Sequence, residues 1–524
     1  MRPPTILLTI ADDHRGTALP IPIPLTKSDL APAFPMRMSS LLLMACVLFF
    51  GGMSPGLSAE PTVADIFSNG MVLQQNLPIP VWGSAADGTE VTVTFGGSSV
   101  SGTASGGRWR VELPAQKANS APQKMVVKFR EGNAMEIDDV LVGEVWLCAG
   151  QSNMDQRIHK KPPRELRDMP LVRQFSKGRG KDSSNVSKWT PAVGEDISLM
   201  SMTAIYFGEK LFNEMNVPVG LILAAVSGTP IESWIPKTTM EADPDTKSLM
   251  ARSGDPEVRK KLSDTREKMR ENPEEDGEGD LLALVSLGKP GVLHAMHIQP
   301  TVPYAIRGAI WYQGEANSKV PENSRLYGKY LSMLVASLRK DYGQADLPFF
   351  LVQLPSIEEG RKEQAPRVYE IVREQQRRFV QNTPHTGLAV SIDVNEGLHP
   401  RHKDIIGDRL AKIALAETYG KKPEGAYAGP QLKTVTFDGR RAICTFDHAA
   451  GGLQLKNHDA GLFEIAGEDG KFQPATAVVD GEKLVVESAN VAEARAVRYA
   501  YKPAMAAVSL FGAGSLPASP FLYP

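Results

Sequence analysis

The sequence contains a serine, a histidine and several carboxylates that could together hydrolyse an ester. Ser152 lies in the pentapeptide GQSNM at 150–154, directly after an apolar run typical of a buried strand. His399 lies far along the chain, in the segment SIDVNEGLHP at 391–400, with Glu396 three residues before it. Acyl transfer needs a nucleophile, a base within hydrogen-bond reach and donors for the developing oxyanion. Serine and histidine are residue types that supply the first two.

Spacing alone leaves two interpretations of Ser152 open. Gly150 permits a sharp turn after the strand, and Ser152 would then begin a helix whose dipole favours negative charge. A serine at the start of a helix is equally common as a structural N-cap. The segment around Ser152 lacks the Gly-x-Ser-x-Gly elbow of ordinary α/β-hydrolases, which argues against that fold.

Four sequence blocks resemble one known family. The segments GEVW at 143–146 and GQSNM at 150–154 resemble the nucleophile block of the sialate O-acetylesterase-like SGNH hydrolases, which are carbohydrate acetylesterases. Further blocks follow in the order that this family uses: SGTPIESW at 227–234, GAIWYQGEAN at 308–317 and the histidine segment at 391–400. The resemblance extends over roughly the whole chain after its N-terminal segment.

The resemblance implies a role for each matched residue. Ser152 would be the nucleophile and His399 the general base, while the backbone amide of Gly228 and the side chain of Asn317 would donate to the oxyanion. Taken alone, Gly228 is a turn glycine and Asn317 a cap or turn residue. The implied reaction removes O-acetyl groups from a sugar or polysaccharide through an acyl-enzyme, with no metal and no cofactor. An acetylxylan or other polysaccharide deacetylase and a non-catalytic glycan-binding protein are the alternatives.

The carboxylate that orients His399 is left open by the sequence. The family commonly has aspartate three residues before the histidine, where this chain has Glu396, and glutamate can orient an imidazole in the same way. Asp393 is one alternative. Glu315 is another, because related acetylxylan esterases resemble this chain around that glutamate. We choose Glu396 and take the neighbouring His402 as a control that should be dispensable.

The elements that position these residues are predicted from hydrophobic periodicity. Between residues 140 and 422, apolar strands alternate with helical stretches, which predicts an α/β domain with a parallel sheet and helices on both faces. The resemblance implies that this domain is SGNH-type, or flavodoxin-like. Period-two alternation predicts β-sandwich-like domains at 60–139 and 423–524. A charged, helical and solvated insertion is expected at about 236–288.

Three predicted strands end shortly before candidate catalytic residues. They lie at 143–149, 219–226 and 306–312, and each continues into a polar loop that contains glycine. In open α/β sheets, ligands bind beyond the carboxyl ends of the strands. We therefore expect the active site at that edge of the sheet. In the N-terminal domain, Trp109 and Val111 are expected to face the core.

Composition and cysteine content exclude several other classes of protein. Lys and Arg number 58 against 60 Asp and Glu, so a nucleic-acid partner is disfavoured. Only Cys46, Cys148 and Cys444 are present, which argues against a disulfide framework and a cysteine zinc site. Cys148 is expected to be a buried strand thiol. The oligomeric state is not indicated.

The first 59 residues predict export. An apolar run after Met36 and a small-residue cleavage site before Glu60 are typical of a signal peptide at 36–59. We expect a periplasmic or secreted protein with no stable membrane insertion after cleavage. A lipoprotein modified at Cys46 is less favoured, because the apolar run continues beyond that cysteine. Residues 1–35 are expected to be a non-structural leader or a mis-assigned start. Their ILLTIADD segment resembles sulfatases, but the sulfatase Cys-x-Pro-x-Arg site is absent.

Overall fold

The computed structural model describes residues 60–524 with internal gaps. The gaps are at residues 131, 133, 159–161, 178–186, 255, 258–259, 262–263, 265–288, 320, 358–367, 395, 423–424 and 457–460. The expected leader at 1–35, the signal peptide at 36–59 and Cys46 lie outside the described residues, as does the second half of the charged insertion.

Alternating side chains build the N-terminal β-region. Its strands are β1 (Thr62–Val63), β2 (Val72–Gln74), β3 (Ile79–Ser84), β4 (Glu90–Phe95), β5 (Ser98–Thr103), β6 (Arg108–Leu113), β7 (Asn119–Phe129) and β8 (Ala134–Gly150). One sheet has the order β1-β3-β6, and a second pairs β4 with β5 and β7, and β7 with β8. Strand β6 alternates exposed and buried residues, and Trp109 and Val111 are buried. The predicted core positions are confirmed.

The central sheet carries the predicted strands. Its further strands are β9 (Met169–Ser176), β10 (Lys188–Ala192), β11 (Val219–Ala225), β12 (Gly308–Tyr312), β13 (Phe349–Val352) and β14 (Thr386–Ala389). The order is β10-β9-β11-β8-β12-β13-β14, parallel except for β10, which is antiparallel to β9 at the edge. Strands β11 and β12 are buried along their whole length, as strands covered on both faces are. The α/β class is confirmed, with a mixed sheet where a parallel one was expected.

Helices cover both faces of this sheet. They are α1 (Ser152–Asp155), α2 (Met202–Met215), α3 (Lys237–Ala242), α4 (Pro244–Gly254), α5 (Pro321–Asp341), α6 (Tyr369–Asn382) and α7 (Lys403–Glu417). Alternate residues of β8 point to opposite faces. Leu147 packs in the apolar cluster that includes side chains of α5 and α6, whereas Trp146 packs in the cluster that includes side chains of α2 and α7.

Strand β8 joins the N-terminal β-region to the central sheet. Its first part pairs antiparallel with β7, and its second part lies between the parallel strands β11 and β12. Asp139 has a φ of +57°, which bends the strand there. Arg173 donates to the Asp139 carbonyl at 2.7 Å and to its carboxylate at 2.9 Å. The expected domain boundary after residue 139 thus falls on a bend inside a continuous strand.

The C-terminal region consists of two four-stranded antiparallel sheets and a short two-stranded one. The strands are β15 (Gln431–Asp438), β16 (Arg441–Asp447), β17 (Gln454–Leu455), β18 (Phe463–Ala466), β19 (Gln473–Pro474), β20 (Thr476–Asp480), β21 (Lys483–Glu487), β22 (Ala496–Tyr499), β23 (Leu510–Phe511) and β24 (Phe521–Tyr523). The sheet orders are β15-β16-β21-β20 and β19-β18-β22-β24, with β17 paired to β23. Cys444 and Phe521 are buried in the core of this region.

The described part of the charged insertion is helical, as expected, and forms α3 and α4. It is attached to the core through α5, because the Lys329 ammonium lies 2.8 Å from the carboxylates of both Asp243 and Asp245. No helix among the described residues is long and apolar enough to cross a membrane.

Candidate active site

Ser152 is presented by a tight turn at the carboxyl end of β8. Gly150 has a φ of +145°, and a Cβ atom there would lie 2.2 Å from the carbonyl oxygen of Tyr312 at the end of β12. Only glycine therefore allows the two strand ends to approach this closely. The helix that follows is a single turn, closed by the Gln156 N–H, which donates to the Ser152 carbonyl at 2.8 Å.

His399 lies beside Ser152, although 247 residues separate them in the chain. The Nε2 atom of His399 is 2.9 Å from the Oγ atom of Ser152. A neutral imidazole at this distance can accept the hydroxyl proton and later return it to a leaving group. The structure thus brings the predicted nucleophile and the predicted base into hydrogen-bond contact at the expected edge of the sheet.

Glu396 lies in the loop that carries His399. Its carboxylate accepts hydrogen bonds from the backbone N–H groups of Arg401 at 2.5 Å and His402 at 3.1 Å. It also lies 3.4 Å from Nε2 of His402. Glu396 therefore closes the loop around the histidine segment. Its role in orienting His399 stays a prediction.

The two alternative carboxylates have different surroundings. Asp393 forms a two-pronged ion pair with Arg409, with both N···O distances at 2.6 Å. Glu315 is buried after β12 and accepts a short hydrogen bond from Nδ2 of Asn153.

The predicted oxyanion residues lie on the two loops that flank the nucleophile turn. Gly228 is exposed, with a φ of +74°, in the loop after β11. That loop is tied to the nucleophile turn, because the N–H of Val226 donates to the carbonyl of Gly150 at 3.1 Å. Gly228 is therefore attached to the same turn that presents Ser152.

Asn317 is fully buried in the loop after β12. Its side-chain oxygen accepts from the N–H of Ile231 at 3.0 Å and from Nε2 of Gln313 at 2.8 Å. Its Nδ2 donates to the carboxylate of Glu232 at 2.8 Å. Asn317 thus joins the loop after β12 to the loop after β11. Its service as an oxyanion donor stays a prediction.

Comparison with known proteins agrees with this geometry. A family model described as "Carbohydrate esterase, sialic acid-specific acetylesterase" matches residues 142–249 and 292–419, which include Ser152, Gly228, Asn317 and His399. A carbohydrate acetylesterase from Xanthomonas citri has a similar solved structure, with a TM-score of 0.73, 28% identity, and coverage of 88% of this chain and 99% of that one. Over these residues the chain matches this family of carbohydrate esterases.

Curated relatives agree with the assignment. The sialate O-acetylesterase of Homo sapiens is 26% identical over 448 residues, covering 77% of this chain and 79% of the relative. That of Rattus norvegicus is 27% identical over 529 residues, covering 89% and 93%. The protein is a carboxylic ester hydrolase, a sialate O-acetylesterase-like carbohydrate esterase.

A buried polar network behind the nucleophile of the esterase was missed by the sequence analysis. The side-chain oxygen of Gln151 accepts from Nε2 of Gln313 at 3.1 Å and from the N–H of Ala316 at 3.2 Å. Burial raises the pKa of Glu232 to about 7, and the hydrogen bond from Asn317 opposes that rise. The available signal was the presence of these polar residues inside the matched blocks.

A second buried pair, which the sequence analysis also missed, links the nucleophile turn to the loop that carries His399. Asn153 and Lys403 are both fully buried, and the Lys403 ammonium donates to Oδ1 of Asn153 at 2.6 Å. Burial lowers the pKa of Lys403 to about 7, while Glu315 and Glu396 oppose that shift. Among the residues that the structure describes, no cluster of three His, Cys, Asp or Glu side chains is arranged as metal ligands.

Proposed function

We propose that the esterase removes O-acetyl groups from a carbohydrate through an acyl-enzyme formed on Ser152. The observation that carries the proposal is the 2.9 Å contact between Nε2 of His399 and Oγ of Ser152. Oγ attacks the acetyl carbonyl carbon as His399 takes its proton. His399 then gives that proton to the departing sugar oxygen. A water molecule, deprotonated by His399, then attacks the acetyl-serine. His399 returns that proton to the departing Oγ, so that the acetyl group leaves as acetic acid and the serine hydroxyl is regenerated.

The proposed oxyanion donors are the backbone amides of Ser152 and Gly228 and the side chain of Asn317. The attachment of the Gly228 loop to Gly150 supports this assignment, because it places that loop beside the nucleophile turn. Removal of one oxyanion donor lowers turnover by about 10²- to 10³-fold in serine hydrolases.

Replacing Ser152 tests the nucleophile. We expect Ser152→Ala to abolish acetate release from an acetylated sugar without changing the far-UV circular dichroism spectrum. His399→Ala should do the same, whereas His402→Ala, the neighbouring histidine, should keep wild-type turnover. Full activity of the Ser152→Ala protein would contradict the assignment.

We propose Glu396 as the carboxylate that orients His399. Its bonds to the backbone of Arg401 and His402 support this choice, because they fix the loop that presents the histidine. We expect Glu396→Gln to lower kcat sharply with little loss of stability. Asp393→Asn breaks the Arg409 pair and should chiefly reduce the free energy of unfolding. If Glu315→Gln is instead the variant that loses turnover while remaining stable, that glutamate is the partner.

The proposed substrate is an O-acetylated sugar, and O-acetylated sialic acid is the first candidate because the curated relatives are named sialate O-acetylesterases. Acetylxylan or another acetylated polysaccharide is the alternative, and the solved structure of a carbohydrate acetylesterase is compatible with either substrate. Acetate release measured across a panel of acetylated glycans decides between them. A chromogenic acetyl ester separates either from a glycan-binding protein without activity.

We also propose that residues 36–59 direct export of the esterase to the periplasm or the medium. N-terminal sequencing of the processed protein tests this proposal. A mature chain that begins at Glu60 is the expected result. A lipid-modified chain that begins at Cys46 would identify a lipoprotein.

A further inference from the structure

The loop that carries His399 is held on both sides of the histidine by one pair of buried side chains. Nδ2 of Asn153 donates to the carbonyl of Leu398 at 3.0 Å, and the Lys403 ammonium donates to the carbonyl of Pro400 at 2.7 Å. The two side chains are joined to each other by the 2.6 Å bond from Lys403 to Asn153. Asn153, next to the nucleophile, is thus connected directly to the Leu398 carbonyl before the base and, through Lys403, to the Pro400 carbonyl after it.

We propose that Asn153 and Lys403 are positioning residues that hold the imidazole of His399 in line with the hydroxyl of Ser152. This inference rests on the proposed function, in which those two groups exchange a proton. The two positioning residues donate their hydrogen bonds to backbone carbonyls of the loop. They act through the backbone of the loop.

The surroundings of Lys403 explain how a lysine side chain can be buried at this position. The side chain is fully buried, and its ammonium lies 5.3 Å from the ring centroid of Tyr312, at the end of β12. Glu315 accepts from Asn153, so the buried ammonium is linked through one amide to a carboxylate. A buried ammonium is costly unless its donors are satisfied. Here the acceptors are the two groups that need to be fixed, Asn153 and the Pro400 carbonyl.

The two bonds constrain the loop more tightly than one could. A single bond to Pro400 would let the loop pivot, whereas a second bond at Leu398 fixes the chain on both sides of His399. Because Asn153 directly follows Ser152, the same pair also attaches the loop to the nucleophile turn. A displacement of about 1 Å between reacting groups can lower the rate by about 10²-fold.

The test compares the same substitution at two lysines of α7. We expect Lys403→Met to lower kcat for acetate release by about 10- to 100-fold with KM within about twofold of wild type. Lys412, on the same helix, forms a partly exposed pair with Asp408 at 2.8 Å, and Lys412→Met should leave both constants unchanged. The pH profile of kcat/KM for Lys403→Met should have the same midpoint as that of wild type and a lower maximum.

Two results for a folded Lys403→Met protein would overturn the proposal. Wild-type kcat in a folded Lys403→Met protein would show that the loop does not need this residue. A displaced pH midpoint would show that Lys403 acts through its charge on the base and not through position. If Lys403→Met does not fold, Asn153→Ala carries the test, because it keeps the bond from Lys403 to Pro400. Unchanged kcat in Asn153→Ala would equally reject the inference.

Failure of this inference is distinguishable from failure of the proposed function. An active Ser152→Ala protein would reject the proposed function itself. An inactive Ser152→Ala protein alongside fully active Lys403→Met and Asn153→Ala proteins would reject the positioning role alone. Because the two positioning residues act as one unit, the double variant should lose little more turnover than either single variant.

Discussion

Glu232 is a buried carboxyl group whose ionisation affects the stability of the loops around Ser152. Its pKa is raised to about 7 from the usual 4.5, because burial disfavours the charged form. The folded protein therefore binds this proton more tightly than the unfolded chain. The resulting stabilisation is fully present below pH 4.5 and is lost as the pH rises through 7.

Replacing Glu232 by glutamine should remove this pH dependence. Between pH 4.5 and about pH 8, we expect the free energy of unfolding of Glu232→Gln to fall by about 3 kcal/mol less than that of wild type. Urea unfolding at a series of pH values measures the difference. Glu241 on α3, which pairs with Lys237 at the surface, is the control, and Glu241→Gln should follow wild type. Parallel curves for Glu232→Gln and wild type would show that the carboxyl group is not shifted.

At the residue scale, the sequence was sufficient to predict the residues whose side-chain type the reaction requires. Ser152 and His399 stood out because the matched blocks carry residue types that ester hydrolysis requires. The partners of Asn153, Lys403 and Glu232 could not be predicted in the same way. A hydrogen bond between side chains 250 residues apart, such as that from Lys403 to Asn153, leaves no local pattern in the sequence.

At the level of elements, the helix that follows the His399 loop packs closely on α2. A Cβ atom at Gly407 of α7 would lie 2.7 Å from the backbone nitrogen of Phe207 and from Cβ of Tyr206. The two helices meet almost backbone to backbone at this point. Because α7 begins at Lys403, this close contact also fixes the position of Lys403, which holds the catalytic loop.

A methyl group at this crossing should separate the two helices. We expect Gly407→Ala to lower the free energy of unfolding by about 1–3 kcal/mol through overpacking, and to lower kcat because Lys403 moves with the helix. Urea unfolding and steady-state kinetics provide the two measurements. Lys412→Ala, at a partly exposed position of the same helix, should change neither. Unchanged unfolding of Gly407→Ala would mean that the helices have room to move apart.

Periodicity predicted where the elements lie better than how they pair. The apolar runs at 143–149, 219–226 and 306–312 correspond to strands β8, β11 and β12. The antiparallel edge strand β10 was not predicted, because alternation reveals which face of a strand is buried but not the direction of its neighbour. The helix after Ser152 is one turn long, which the pentapeptide alone could not show.

At the scale of the whole molecule, one arginine joins the catalytic region to the C-terminal β-region. Arg373 of α6 is fully buried and donates to four backbone carbonyls at 2.7–3.0 Å. They belong to Leu354, Pro355, Lys502 and Pro503. Burial lowers the pKa of Arg373 to about 10. The guanidinium thus satisfies carbonyls from both regions at once.

Removing this guanidinium should loosen the C-terminal region. We expect Arg373→Met to lower the free energy of unfolding by about 3 kcal/mol, because buried carbonyls lose their donors. Urea unfolding measures the loss, and limited proteolysis should show faster cleavage near residues 502–503. Arg440, in an exposed pair with Glu487, is the control, and Arg440→Met should stay within about 0.5 kcal/mol of wild type. Equal stability of the two variants would refute the proposed coupling.

The continuity of β8 has a consequence for how the protein is made. A chain that emerges from its N-terminus presents β8 before the parallel strands β11 and β12 exist, because β11 begins at Val219 and β12 at Gly308. The part of β8 up to Gly143 can pair with β7 and β2 at once, while the apolar part from Glu144 to Gly150 waits for β11 and β12. Exposed strand edges of this kind aggregate readily, and nascent chains rely on chaperones to shield them. The nucleophile is therefore made early, but its contact with His399 can form only after 247 further residues have been added to the chain.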